Sequence, residues 1–208
     1  MQAIAAGTWT GIPLVIGQAY QGGFYAGQIS TAGNGIADYN LVVGPVASAE
    51  SSSKQWKTAN TSTAGTTSVI DGPANSTAMN NASHPAAEFC EAVNVGGYTD
   101  WYMPAKNELE VCYYNLKPST ASNDTGSGIN ANAVPARASN YTSGTPARTT
   151  ATAFQTGGTE AFNAGFYYWN STEQSAPYAW RQYFGGGNQD FGSKTNSHRV
   201  RAIRRVAV

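Results

Sequence analysis

Apolar and polar positions divide the chain into three regimes. Over residues 1–45 short apolar runs alternate with turn signals. Ile12-Pro13-Leu14-Val15-Ile16 ends at Gly17, and Gly22-Gly23 precedes Phe24-Tyr25-Ala26-Gly27-Gln28-Ile29. Gly33-Asn34-Gly35 separates that run from Tyr39-Asn40-Leu41-Val42-Val43. This pattern predicts a β-meander, with Pro13 placing the first run at a sheet edge. A second regime has helical spacing. Ala86, Phe89, Cys90 and Val93 fall at i, i+3, i+4 and i+7 behind Pro85, and Leu109, Cys112, Tyr113 and Leu116 repeat the interval between Pro104 and Pro118. Both predict amphipathic helices. Glu88, Glu91, Glu108 and Glu110 lie off these stripes and read as solvated.

The third regime is aromatic. Phe166-Tyr167-Tyr168-Trp169 and Ala179-Trp180-Arg181-Gln182-Tyr183-Phe184 read as strands, and Gly185-Gly186-Gly187 reads as a turn. Arg199-Val200-Arg201-Ala202-Ile203-Arg204-Arg205-Val206 reads as a closing strand. Its alternation breaks at Ala202-Ile203, which predicts a bulge or burial on both faces. Two stretches lack periodicity. Residues 46–80 are Ser/Thr/Asn/Gly-rich around Trp56, with a turn at Asp71-Gly72 and a helix start at Asn75-Ser76-Thr77. Residues 117–160 are long and polar, which predicts an ordered excursion pinned by Val134, Tyr141 and Phe154. No internal repeat of fixed period occurs.

Composition sharpens this picture. Charged residues are 12% of the 208, against roughly 25% in an average domain. Gly, Ser, Thr, Asn, Tyr and Trp replace them, a mixture that suits adaptable contact surfaces. Formal net charge is zero, so no long-range field favours nucleic acid or an anionic membrane. No apolar run approaches the ~20 residues of a membrane span, and Met1 to Thr10 lacks a secretory signal pattern. Cys90 and Cys112 read first as buried thiols, with a disulfide permitted but not demanded.

The search for chemistry returns little. No GxSxG, HExxH, Walker A loop or GxGxxG after a strand occurs, and the glycine run at 185–187 has no following Lys-Ser or Lys-Thr. His84 and His198 are the only histidines, too few for a triad plus a metal site. No catalytic residue, metal site or cofactor is therefore expected. Asp100 reads as a turn-capping residue beside a core Trp101. Arg199, Arg201, Arg204 and Arg205 fit strand positions better than a nucleic-acid patch. Six Asn-x-Ser/Thr triplets, beginning at Asn60, Asn75, Asn81, Asn123, Asn140 and Asn170, are expected by chance in such a composition.

Two segments carry a resemblance. One is Gly96-Gly97-Tyr98-Thr99-Asp100-Trp101-Tyr102-Met103-Pro104 with the helix containing Glu108-Leu109. The other is Tyr168-Trp169-Asn170-Ser171-Thr172-Glu173, then Ala179-Trp180, Lys194 and Arg199 to Arg205. In this order they resemble the C-type-lectin-like domains of phage tail-fibre and receptor-binding proteins. They are similar to the variable proteins of diversity-generating retroelements, of the major tropism determinant type. The resemblance covers roughly residues 65–208, and Gln21 to Gly27 resembles, less specifically, a segment that precedes these domains.

The resemblance implies an α+β fold, with two helices beside a small twisted antiparallel sheet and a short N-terminal β segment. The β-rich pattern of residues 1–45 sets them apart as an assembly region, with 46–208 as the ligand-binding domain. The resemblance implies no enzyme but a host-adhesion protein of the virion tail, made in the host cytoplasm. Its partners would be a host cell-surface receptor, glycan or protein, its own copies in a homotrimer, and other tail proteins, without nucleic acid or membrane insertion. The alternatives are a formylglycine-generating type of enzyme, whose reactive cysteine pair is absent from the C-terminal half, and a purely structural tail component. Ser171 stands where calcium-dependent lectins carry Asp, which argues against calcium-mediated sugar binding. Ala105 follows Pro104 where the family often has a capping Ser or Thr.

Within the C-terminal segment the resemblance implies a division of labour. Scaffold positions are Trp169, Trp180, Gln182, Phe184, Gly187, Gln189, Lys194, Val200 and Arg201, with Trp169, Trp180 and Phe184 beneath the binding face. Exchangeable positions lie between them and include Gly185, Phe191 and Gly192. The residues expected to touch ligand are Tyr178, Arg181, Tyr183, Asn188, Asp190, Ser193, Asn196 and His198. Alternation in a strand allows exchange on one face without disturbing the other.

Overall fold

The computed structural model describes residues 13–208. Among them the chain forms two five-stranded sheets and four α-helices, in an α+β arrangement. The first sheet is built from β1 (Ala19–Tyr20), β2 (Gly23–Ile29), β3 (Tyr39–Val43) and the C-terminal β10 (Ile203–Ala207) in that order, with β5 (Ala133–Val134) also pairing β2. The second has the order β4 (Glu50–Gln55), β9 (Ser197–Arg201), β6 (Tyr167–Glu173), β7 (Tyr178–Tyr183) and β8 (Gln189–Ser193). Neighbours are antiparallel except β6 and β9, which meet in parallel at Tyr168 and Arg199.

The break in alternation at Ala202-Ile203 marks a change of sheet. The chain leaves β9, gives the Ala202 amide to the Ala49 carbonyl at 2.8 Å, and re-enters the other sheet as β10. Opposite it, β3 passes through α1 (Val46–Ala49) into β4, so Ile203 pairs Val43 while Arg201 pairs Glu50. Both faces of this crossover are buried, and Val200, Ala202 and Ile203 have no exposed area. The strands at residues 19–43 thus share a sheet with the C-terminus and a core with the later helices. The division after residue 45 runs through one packed unit and does not separate two cores.

The predicted helices form as α3 (Pro85–Glu91) and α4 (Lys106–Leu116). Their apolar stripes are buried except for the partly buried Phe89, and both cysteines are buried free thiols. One expectation fails. Glu108 and Glu110 are not solvated but wholly buried, because α4 lies between the first sheet and the β6–β7 side of the second. Glu108 accepts from the Tyr102 hydroxyl at 2.6 Å, Arg205 Nε at 2.7 Å and the Ala105 amide at 2.8 Å. The last bond caps the helix from its third residue, which offsets the lack of a capping side chain at Ala105. Glu110 pairs with Arg137 and accepts from Tyr141 at 2.6 Å. Arg137 and Tyr141 belong to the 117–160 segment, so that excursion is pinned by polar bonds to α4 as well as by Tyr141 and Phe154 in the core. Ala133, not the half-exposed Val134, fills the apolar position there.

Other departures are local. Helix α2 (Gly72–Ala78) starts before the expected Asn75, because the Asp71 carboxylate accepts the Ala74 amide at 3.3 Å and Pro73 sits in its first turn. Pro13–Ile16 forms no strand, and Ile12 lies outside the described residues. Asp100 forms a two-point ion pair with Arg204 at 2.7 and 2.8 Å beside the buried Trp101.

Candidate ligand-binding face

The β7–β8 hairpin is the edge of the second sheet. Its register sets Arg181 opposite Asp190 and Trp180 opposite Phe191. Alternation then gives the hairpin two different faces.

On one face Arg181 is the centre. Its Nη2 donates to Asp190 Oδ2 at 3.0 Å, and its Nη1 lies 2.8 Å from His198 Nε2. The guanidinium stacks over Tyr167 at 4.0 Å, and Tyr183 leans on Tyr167 at 5.1 Å. His198 rests against the edge of the buried Trp169 at 4.6 Å. Burial, and then the Arg181 cation, push the His198 pKa down to about 4. The imidazole is therefore neutral at pH 7 and accepts the Arg181 hydrogen bond. Four of the eight expected contact residues, Arg181, Tyr183, Asp190 and His198, thus come together.

The other four lie elsewhere. Tyr178 points to the opposite face, where it meets Phe191 at 5.4 Å, and Phe191 meets Trp180 edge-on at 5.8 Å. Tyr178 and Phe191 are exposed, and the Lys106 ammonium lies 3.9 Å over Trp180. Asn188 is tied in the turn, donating to Asp124 Oδ2 at 3.0 Å. Ser193 and the exposed Asn196 sit where β8 turns into β9.

The scaffold positions are mostly buried. Trp169, Phe184, Lys194 and Val200 have no exposed area, and Gln182 and Arg201 have 1%. Lys194 Nζ binds Glu173 at 2.6 Å and the Thr61 carbonyl at 3.0 Å, above the Trp56 ring. A Cβ on Gly187 would lie 2.3 Å from Tyr113, and its φ of 76° suits glycine. Trp180 departs from its expected place, since it is half-buried on the face opposite Trp169. Gly185 departs from free exchange, because a Cβ there would lie 2.5 Å from the Ala164 carbonyl.

Sequence reasoning missed three contributors. Tyr167 supports Arg181, Lys106 arrives from α4, and the loop at 57–66 reaches the hairpin through Asn60, which accepts from Ser193 Oγ at 3.1 Å. Loop residue Lys57 binds the Thr61 and Ser62 carbonyls, so this loop is clamped by two ammonium groups. The Arg199, Arg201, Arg204 and Arg205 side chains are all engaged by carboxylates.

Among the described residues no group of three His, Cys, Asp or Glu side chains is placed to hold a metal ion. No helix there is long and apolar enough to cross a membrane. A cleft of about 560 Å³ between Tyr39, Asp71 and Arg205 lies apart from the hairpin residues. The arrangement at the hairpin offers stacked aromatics, an arginine held by two partners and a partly open carboxylate. Those groups suit recognition by contact. No curated protein matches the sequence. The model of the Lcl C-terminal domain matches residues 49–204, so the chain belongs to the Lcl C-terminal domain family, the C-type-lectin-like family that its two motif segments resemble.

Proposed function

We propose that this chain is a receptor-binding domain at the tip of a phage tail fibre, adhering to the host by non-covalent contact through the β7–β8 hairpin. The family is associated with variable, host-binding phage tail proteins and is not a known enzyme family. The α+β arrangement of helices beside curled antiparallel sheets is compatible with a C-type-lectin-like fold. The observation that carries the reading is the contrast at the hairpin. Half-exposed Tyr, Arg, Asp and His side chains stand on an understructure of Trp169, Phe184 and Lys194 that has no exposed area. Tyr and Arg are favoured anchors at binding surfaces, and a locked support lowers the ordering cost of contact.

Tyr178, Arg181, Tyr183, Asn188, Asp190, Ser193, Asn196 and His198 form the contact set, on two faces and both ends of the hairpin. The chain acts as a homotrimer, with its N-terminal region in assembly, so weak individual sites gain by avidity. Exchange at these positions by a retroelement fits the separation of support from display. The test is adsorption to host cells. Replacing Tyr178 and Arg181 together by Ala abolishes adsorption and leaves the melting temperature near that of the parent. Unchanged adsorption would assign the domain a structural role.

A further inference from the structure

The turn between β2 and β3 takes no part in the proposed contact surface. It holds the chain's one Asn-Gly step, Asn34-Gly35. Both residues are exposed. Gly35 has a φ of 80°, which suits glycine, and a Cβ there would meet nothing within 4 Å. Among the described residues its N–H donates no hydrogen bond. A backbone nitrogen with no side chain beside it and no partner is free to approach the preceding side-chain carbonyl.

The Asn34 side chain, by contrast, is held. Its Oδ1 accepts from Ser30 Oγ at 2.9 Å and from the Ile36 amide at 3.0 Å. The Asn34 amide in turn donates to Ser30 Oγ at 3.4 Å, which leaves the hydroxyl proton aimed at Oδ1. Ser30 has no exposed area. Its backbone is fixed by Asn132, whose carbonyl accepts the Ser30 amide at 2.7 Å and whose Nδ2 donates to the Ser30 carbonyl at 2.8 Å. Two fixed donors therefore draw charge from Asn34 Cγ. They stand where negative charge develops on Oδ1 when a nucleophile adds to that carbon.

We infer that Asn34 is a self-modification site, at which the Gly35 nitrogen of the folded chain attacks Asn34 Cγ and the side-chain amide is lost as ammonia. Hydroxide takes the Gly35 amide proton. The N–Cγ bond forms as the carbonyl electron pair moves onto Oδ1. The pair returns, the Cγ–Nδ2 bond breaks, and ammonia leaves with a proton from water. Water then opens the five-membered imide at either carbonyl, so residue 34 becomes aspartate or its β-linked isomer. Nothing is oxidised or reduced. Each event adds one negative charge to a chain of zero formal net charge. The charge appears in a loop that already carries the Asp38 carboxylate, which accepts the Thr31 amide at 2.6 Å. The exposed Asn196 is followed by Ser197, whose side chain crowds the same approach.

The test is incubation of the full chain between pH 6 and 9, with residue 34 followed by peptide mapping and the added charge by isoelectric focusing. Asn34 is converted before Asn196, at a rate that rises with hydroxide concentration. Gly35→Ala slows conversion at least about tenfold, because the added Cβ displaces the attacking nitrogen. Ser30→Ala slows it about tenfold, the worth of one hydrogen bond to a developing oxyanion, and leaves the dependence on hydroxide unchanged. An Asn34 that stays intact in the folded chain overturns the inference, above all if it reacts once the chain is unfolded in urea. So does conversion that Gly35→Ala does not slow, or that is as fast or faster in Ser30→Ala. Both variants are compared with the parent by thermal unfolding. If Ser30→Ala unfolds, Gly35→Ala, at an exposed position with open space around it, carries the test.

Discussion

Arginine does two different jobs in the last strands. On β9 and β10, Arg201 and Arg205 have side chains that are 0% and 11% exposed. Arg201 gives its Nε to the Gly44 carbonyl, its Nη1 to the Glu160 carbonyl and its Nη2 to the Glu160 carboxylate, all within 2.9 Å. On β7, Arg181 makes a similar carboxylate bond, but its partner Asp190 is 38% exposed. The chemistry is the same and the surroundings differ. In the interior, removing one member strands a charge where water cannot reach it. At the edge, water replaces the lost partner. A scaffold with the first kind of arginine can carry the second kind as replaceable display.

The largest consequence falls on the buried side. Arg201→Ala leaves Glu50 and Glu160 without their shared cation and opens the space between Phe154 and Phe162, over whose rings the guanidinium lies. The expected loss is about 3–5 kcal/mol of unfolding free energy, read from urea denaturation. A loss below about 1 kcal/mol would place Arg201 with Arg181 and remove the distinction.

The sequence carried much of this architecture and little of this distinction. The two helical stripes, the Tyr39–Val43 strand and the aromatic strands follow from period and turn chemistry, which are local properties. Strand β4, with the sequence Glu-Ser-Ser-Ser-Lys-Gln, has no apolar residue and exists because β9 pairs with it. Burial of Glu108 depends on Arg205, 97 positions later, and no periodicity reports a partner at that distance. The hairpin residues were expected as contacts through the resemblance. Their assignment to two faces was not, because it depends on the register between β7 and β8. The loop at 57–66 was invisible for the same reason that β4 was: its order comes from Lys194 and Glu173, far along the chain.

A pH titration sharpens the comparison at an intermediate scale. His198 belongs to the displayed cluster, whereas His84 is buried against Trp56 at 5.6 Å and Thr63 at 2.9 Å. Burial is the first cause of a pKa near 4 for both, with Arg181 adding to it at His198 and Lys57 and Lys194 at His84. The unfolded chain takes up these protons near the ordinary value of 6.5, before the folded chain does. Stability from both groups is therefore fully present above pH 6.5, is lost as pH falls towards 4, and changes no further below that. Comparing the parent with His198→Gln isolates one group from the carboxylates that titrate nearby. The variant shows a shallower loss of stability between pH 6.5 and 4. Identical slopes would mean that His198 takes up its proton over the same pH range in the folded and unfolded chain, against the burial and the Arg181 contact described above.

The smallest effect on stability belongs to Asp190→Ala, and it discriminates most between the two kinds of arginine. The lost pair is partly open to solvent, so the change in unfolding free energy is below about 1 kcal/mol and shrinks further in high salt. Arg181 keeps its contact with His198 at 2.8 Å and its place over Tyr167, so it remains on the face with one donor released. The Phe191 amide, which donates to Asp190 Oδ1 at 2.7 Å, turns to water at the sheet edge. Adsorption to host cells therefore changes while the fold does not. A loss of several kcal/mol on this substitution would instead make Asp190 part of the support. The displayed surface would then retreat to Tyr178, Phe191 and the end of the hairpin at Asn196.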